Sequence, residues 1–381
     1  MKSLMKKFAV LASSAIMVAA MSATSFAANY NNAALETSET TLNIPKTLTV
    51  SNQNLASVDG PGLTYNYTIA PETPSTSNGG TSITDNTNTI TVKAGPASGV
   101  TLTTASVSWP KGTAVNASSS GAANTKNIVA ATDLTKFSQP GVYRYKITEA
   151  AAADPATLGV TDANAAEVRY LDVYIERDTT SGNLAVAGYV LHTGATSEGK
   201  PSTKTGFDAS SFATYNIQVK VETGGTMGDR GNAFPVAGTV NDGGRYIYAA
   251  KDAAPTAVEG SKIAGAAAGS AVSTSLSHNQ VYYISGLSSL ATVAYEETNN
   301  TTDTYQVAIT GGTASAASAV APSAKKSMAE TAVGSAATVT FTNTLSGISP
   351  TGLVFRYGPY IGMLALAVVL LIARRRTAEE R

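Results

Sequence analysis

Lys46 sits on an otherwise apolar strand face. Leu42, Ile44, Leu48 and Val50 recur around it with period two, and residues of one parity along a strand point the same way. Glu149 is placed alike, in phase with Tyr143, Tyr145 and Ile147. Glu297 continues the phase of Val293 and Tyr295, and Asn343 that of Val339 and Phe341. Burial decides what such groups can do. An amine shifted toward its neutral form is a nucleophile, and a carboxyl kept protonated can polarise a carbonyl and shuttle protons. Burying them costs several kcal/mol unless they react or pair. Other chemistry is thinly supplied. There is no Cys, which removes disulfides, thiolate metal sites and Cys nucleophiles. His192 and His278 stand far apart in the chain, so no metal site is expected. No cofactor motif is evident, and an enzyme is disfavoured. The 26 Lys and Arg balance 26 Asp and Glu, which leaves no basic footprint for nucleic acid.

These side chains need strands to hold them, and the chain supplies many. Leu63, Tyr65, Tyr67 and Ile69 alternate, as do Leu171, Val173 and Ile175. Leu184 and Val186 do so too, with Tyr189 one position out of phase. The pattern returns at Tyr215, Ile217, Val219 and Val221, and again at Tyr283, Tyr295, Val307 and Ile309. Gly, Ser, Asn and Thr clusters separate the runs as turns. Many short strands of this kind predict an all-β chain of two tandem immunoglobulin-like β-sandwich domains. The expected division is a signal peptide at 1–27, sandwich one at 28–212, sandwich two at 213–346 and a C-terminal segment at 347–381.

The two ends address the chain outward. Lys2, Lys6 and Lys7 precede an apolar run from Phe8 to Met21, and Ser25-Phe26-Ala27 follows. That is a secretory signal peptide cut after Ala27. Near the other end, Tyr357 to Ala373 is apolar and Arg374, Arg375 and Arg376 follow. This predicts a transmembrane helix with a cytoplasmic basic tail. Before it stand Ile348, Ser349, Pro350, Thr351 and Gly352. Motif, apolar helix and basic tail in this order resemble the cell-wall sorting signal of Gram-positive surface proteins. The resemblance implies cleavage by sortase between Thr351 and Gly352, with Thr351 as acyl donor.

The body of the chain resembles the streptococcal-type pilin isopeptide-linkage family of major backbone pilins. The segments that carry this are Leu-Asn-Ile-Pro-Lys-Thr-Leu (42–48), Tyr-Asn-Tyr-Thr-Ile-Ala-Pro (65–71) and Gln-Pro-Gly-Val-Tyr-Arg-Tyr-Lys-Ile-Thr-Glu (139–149). Val-Arg-Tyr-Leu-Asp-Val-Tyr-Ile-Glu (168–176) follows, then Ile-Gln-Val-Lys-Val-Glu (217–222), Met-Gly-Asp-Arg (227–230), Tyr-Glu-Glu-Thr-Asn-Asn (295–300) and Phe-Thr-Asn-Thr (341–344). The resemblance implies a structural subunit rather than an enzyme. Its partners would be sortase, other pilin subunits joined covalently, peptidoglycan or a base pilin, and the membrane before sorting, with no nucleic acid. A monomeric wall-anchored adhesin is the other reading, although no inserted loop domain or aromatic-lined surface is evident.

The resemblance also implies an internal Lys–Asn isopeptide bond in each domain, with a Glu beside it. Lys46 and Glu149 match the reactive Lys and Glu of domain one. The family's Phe-x-Asn falls on Phe207-Asp208-Ala209, so Ala209 stands where Asn is expected. Asp208 is the neighbouring acceptor, reached through a bulge, and Asn216 is a more distant one. In domain two Asn343 and Glu297 match, but the Lys position counts to Val221. Either a bulge turns Lys220 inward or that bond has been lost. Polymerisation needs a further exposed Lys, for which Lys200 and Lys204 are candidates, with Lys111 after Trp109-Pro110 as runner-up.

Overall fold

The structure is a computed structural model. It describes residues 39–84, 89–163, 166–194, 206–241, 247–252, 261–263, 270–333, 338–347 and 360–370. The expected signal peptide, the motif residues Ile348 to Gly352, Lys200 and Lys204 lie outside the described residues.

Strands dominate, as the β-branched and aromatic runs require. The first core is bounded by two sheets. One contains β1 (Thr41–Ser51), flanked by an antiparallel strand β3 (Ala122–Thr132) and by the parallel strand β7 (Ser210–Gly224). The facing sheet runs through β2 (Leu63–Pro71), β4 (Gly141–Ala151), β5 (Val168–Arg177) and β6 (Leu184–His192), each antiparallel to the next. Ile44, Leu48 and Val50 of β1 pack with Tyr65, Tyr145, Ile147, Leu171 and Trp109 between them. The alternation along β1 matches the sequence pattern, and Lys46 is fully buried within it.

The second core repeats the plan. β7 continues beside β9 (Val281–Ser288) and, in parallel, beside β13 (Thr338–Thr344), which pairs in turn with β11 (Tyr305–Thr310). Facing them are β8 (Phe234–Asn241), β10 (Thr292–Thr298) and β12 (Lys325–Ala332). Val219, Phe234, Val293, Val307 and Phe341 fill the space.

β7 therefore belongs to both cores, and the expected boundary at 212/213 falls inside it. Its buried residues run Ser210, Phe212 and Thr214, then Ile217, Val219, Val221 and Thr223. The parity flips where the pairing with β9 shifts register between Tyr215 and Ile217. A bulge of this kind turns a strand's faces over. Phe212 thus serves the first core and Ile217 the second. Tyr215, placed by parity with Ile217, is left 37% exposed instead. The phase slip at Tyr189 has the same cause. The register between β5 and β6 shifts at Tyr174/Ile175, so both Val186 and Tyr189 reach the core.

The expected transmembrane segment is represented by a helix at residues 360–370, its side chains exposed. Among the described residues no helix is long and apolar enough to cross a membrane.

Candidate functional site

Lys46 projects from β1 into the first core and Glu149 meets it from the facing sheet. Lys46 Nζ donates to Glu149 Oε1 at 3.0 Å, and both side chains are fully buried. The other carboxylate oxygen accepts from the Tyr67 hydroxyl at 2.5 Å. Tyr67 is the residue directly across from Glu149 in the β2–β4 ladder, so the ladder itself fixes this contact. The Lys46 ammonium also lies 4.3 Å from the Tyr65 ring centre, an electrostatically favourable seat for a cation. Burial raises the Glu149 pKa, against the opposing pull of Tyr67 and Lys46. Burial likewise raises that of Tyr67, reinforced by the neighbouring Glu149. The site thus holds an amine and a carboxyl in direct contact, away from water.

Asp208 is not brought to this pair. Its side chain is 47% exposed and accepts from Arg169 Nη2 at 3.3 Å. Its backbone N–H donates to Glu167 Oε2 at 2.8 Å, and Phe207 packs edge-on against Tyr67 with ring centres 5.0 Å apart. These contacts pull 207–209 off the strand, and β7 begins only at Ser210. The register carries further information. Leu48 pairs with Ser210, so continuing the parallel ladder by two residues would set position 208 beside Lys46. In such an extension Asp208 would share the parity of Ser210 and Phe212, which face the core. Asn216 is engaged elsewhere, exchanging hydrogen bonds of 3.1 Å with Asn52.

The second core holds the complementary fragment. Glu297 reaches across from β10 and accepts from Asn343 Nδ2 of β13 at 3.0 Å, both groups being buried. Burial pushes the Glu297 pKa up to about 7, although the Asn343 hydrogen bond pulls it back. Asn343 Oδ1 has no partner. Lys220 is turned outward, paired with Glu222 at 2.7 Å and partly exposed. Val221 packs across from Phe341. The residue across from Asn343 is Thr223, two positions beyond the one counted from the sequence. Thr223 is 2% exposed, and its hydroxyl has no partner. Its phase with Ile217, Val219 and Val221 was visible in the sequence; the register that sets it beside Asn343 was not.

Lys111 is exposed in the turn after the Ser106–Trp109 strand. A third charged cluster lies on the other face of the β4–β5 ladder. Arg144 pairs with Asp172 through Nε and Nη2, both at 2.7 Å, and both residues are fully buried. Its Nη1 also donates to Asn78 Oδ1 at 3.1 Å and to the Gly80 carbonyl at 2.8 Å. The cluster ties the turn around residues 75–80 down onto the sheet. Among the described residues no group of three or more His, Cys, Asp or Glu could hold a metal.

No protein-family model matches the chain, and no curated protein matches it. Among solved structures it is similar to the major pilin of Streptococcus pyogenes, at 21% identity and a TM-score of 0.45, covering 81% of this chain and 99% of that one. It is also similar to the T3.2 major pilin of Streptococcus pyogenes, at 17% identity and 0.43, covering 81% and 98%. A pilus-presented adhesin matches at 15% identity and 0.26, covering 47% and 37%.

Proposed function

We propose that the chain is a structural subunit of a covalently assembled Gram-positive surface pilus. It is a substrate of sortase rather than an enzyme. The observation that carries this reading is the burial of Lys46 against Glu149 between facing sheets. A buried ion pair is a poor stabiliser compared with apolar packing, so a pair placed here is better accounted for by chemistry than by folding. The sequence features support the same reading: signal peptide, strand segments, Pro350-Thr351-Gly352, apolar segment and Arg374 to Arg376, in that order. The chain is secreted and held transiently by its C-terminal segment. Sortase cuts it after Thr351 and joins it to a lysine of the next subunit, or to peptidoglycan or a base pilin at the end of the fibre. Lys200, Lys204 and Lys111 are the candidate acceptors.

Within domain one, Lys46 would condense with Asp208 once residues 207–209 extend the β7 ladder by one more inward position. Lys46 Nζ attacks Asp208 Cγ, a C–N bond forms, a C–O bond breaks and water leaves. Glu149 carries the proton. In domain two Thr223, not a lysine, stands across from Asn343, and Lys220 is turned toward Glu222.

Denaturing gels of cell-wall extracts test the main reading. A ladder of species is expected, collapsing to monomer in a Thr351→Ala strain. Monomer-sized bands alone in the wild type would overturn it and leave a wall-anchored binding module. Peptide mapping tests the internal bond, which lowers the combined mass of the Lys46 and Asp208 peptides by one water.

A further inference from the structure

Two buried polar atoms without partners lie side by side in the second core. Thr223 and Asn343 are direct partners in the parallel β7–β13 ladder. Val219–Val339 and Val221–Phe341 precede them on the same inward face. Neighbouring strands lie ~4.8 Å apart, so the two side chains are immediate neighbours. Neither Thr223 Oγ1 nor Asn343 Oδ1 has a hydrogen-bond partner, although a buried polar group left unpaired is costly and uncommon. The third participant is in place, because Glu297 contacts the Asn343 carboxamide at 3.0 Å.

We propose that Thr223 and Asn343 form an intramolecular ester, cross-linking the first and last strands of the second core. Thr223 stands directly across from the carboxamide, and its hydroxyl is the nucleophile available there. In the step itself Thr223 Oγ1 adds to Asn343 Cγ. The O–C bond forms and the Cγ–Nδ2 bond breaks. The hydroxyl proton passes through Glu297 to the departing nitrogen, which leaves as ammonia. Glu297 can serve because burial raises its pKa to about 7, so near neutrality the carboxyl is present in both its protonated and ionised forms. Turning the carboxamide over presents Oδ1 to that proton and polarises the carbon under attack; amide orientation is free to follow the network. Burial then keeps water from the ester. The link consumes the unpartnered Thr223 hydroxyl, and Asn343 Oδ1, kept as the ester carbonyl oxygen, faces Glu297. It does not depend on whether subunits are joined to one another.

The test is peptide mapping of the full secreted chain. The expected finding is a joined pair of peptides carrying Thr223 and Asn343, lighter than their sum by one ammonia, and separated by alkaline hydroxylamine. Thr223→Val should abolish the pair, Thr223→Ser should retain it, and Glu297→Gln should strongly reduce its yield. Circular dichroism reports whether each variant folds. Two separate peptides of unchanged mass in the folded wild type would overturn the proposal. So would a joined pair that resists hydroxylamine, or one that persists in Thr223→Val.

Discussion

The Lys46–Glu149 pair sets up a stability experiment whose size and sign follow from the geometry. At 3.0 Å and an effective dielectric of about 20, the gross attraction is roughly 5–6 kcal/mol. Desolvation of each ion takes several kcal/mol away. Removing one partner leaves the other buried and unpaired, which costs about 3–5 kcal/mol. Glu149→Gln should show the full loss, because it strands an ammonium. Lys46→Met should lie near the lower end, since the carboxyl can keep its proton and its 2.5 Å bond from Tyr67. The double variant Lys46→Met/Glu149→Leu should recover most of the loss, because well-packed apolar groups often equal or exceed a buried pair. The pH dependence of Lys46→Met has a definite sign. Burial already raises Glu149 above its ordinary 4.5, and loss of the lysine removes one opposing pull. Stability is then fully present below the ordinary value and is lost as pH rises through the raised one. The chain has one tryptophan, and Trp109 lies in the first core. Its fluorescence during urea unfolding therefore reads this core. Single-variant losses within about 0.5 kcal/mol of zero, or losses that simply add in the double variant, would refute the reasoning. A wild-type peptide pair already lighter by one water marks the bonded form, for which the loss should exceed the stated range.

Two further outcomes follow from the same core. Asp172→Asn should cost about 3–5 kcal/mol by stranding the buried Arg144 guanidinium, read as a lower urea midpoint at Trp109. Burial alone would raise the Asp172 pKa, but Arg144 and His192 hold it below its ordinary value. The wild type should therefore lose stability as pH falls from that value through the depressed one, and the variant should lack that acid-dependent step. Gly95→Ala should destabilise by about 1–3 kcal/mol through overpacking, because the new Cβ would lie 2.1 Å from Cζ of Tyr145. A thermal midpoint equal to that of the wild type would show that the ring can move aside.

What could be read from the sequence divides along local and non-local lines. Period-two parity is local, so Lys46 and Glu149 were identifiable as inward residues before any contact was known. It fails wherever a strand slips its register. Tyr215 lands outside because β7 flips its faces between two cores. Asp208 lies off the strand, because β7 starts only at Ser210. Partnership across a ladder is non-local, which is why Thr223 went unnoticed beside Asn343. Arg144 and Asp172 occupy what parity marks as an outer face. They are buried because the turn near residues 75–80 folds over them, and no strand pattern announces that cover.

The shared strand gives these sites a common mechanical sense. β1 opens the first core and β13 closes the second, and both run parallel to β7. Tension applied along the chain passes from β1 to β7 to β13. Across a parallel ladder it loads the hydrogen bonds together in shear. The two ladders differ in length. The β1–β7 register extends only from Leu48–Ser210 to Ser51–Ala213, whereas β7–β13 extends from Gln218–Thr338 to Gly224–Thr344. The first junction is therefore the weaker one by pairing alone. Lys46 lies two residues beyond its open end, where a covalent link would bypass the short ladder altogether. Thr223 lies near the far end of the longer ladder, one residue before its last pair. In each core the position proposed for a cross-link stands close to where the first and last strands part, which is where a crack under load would start.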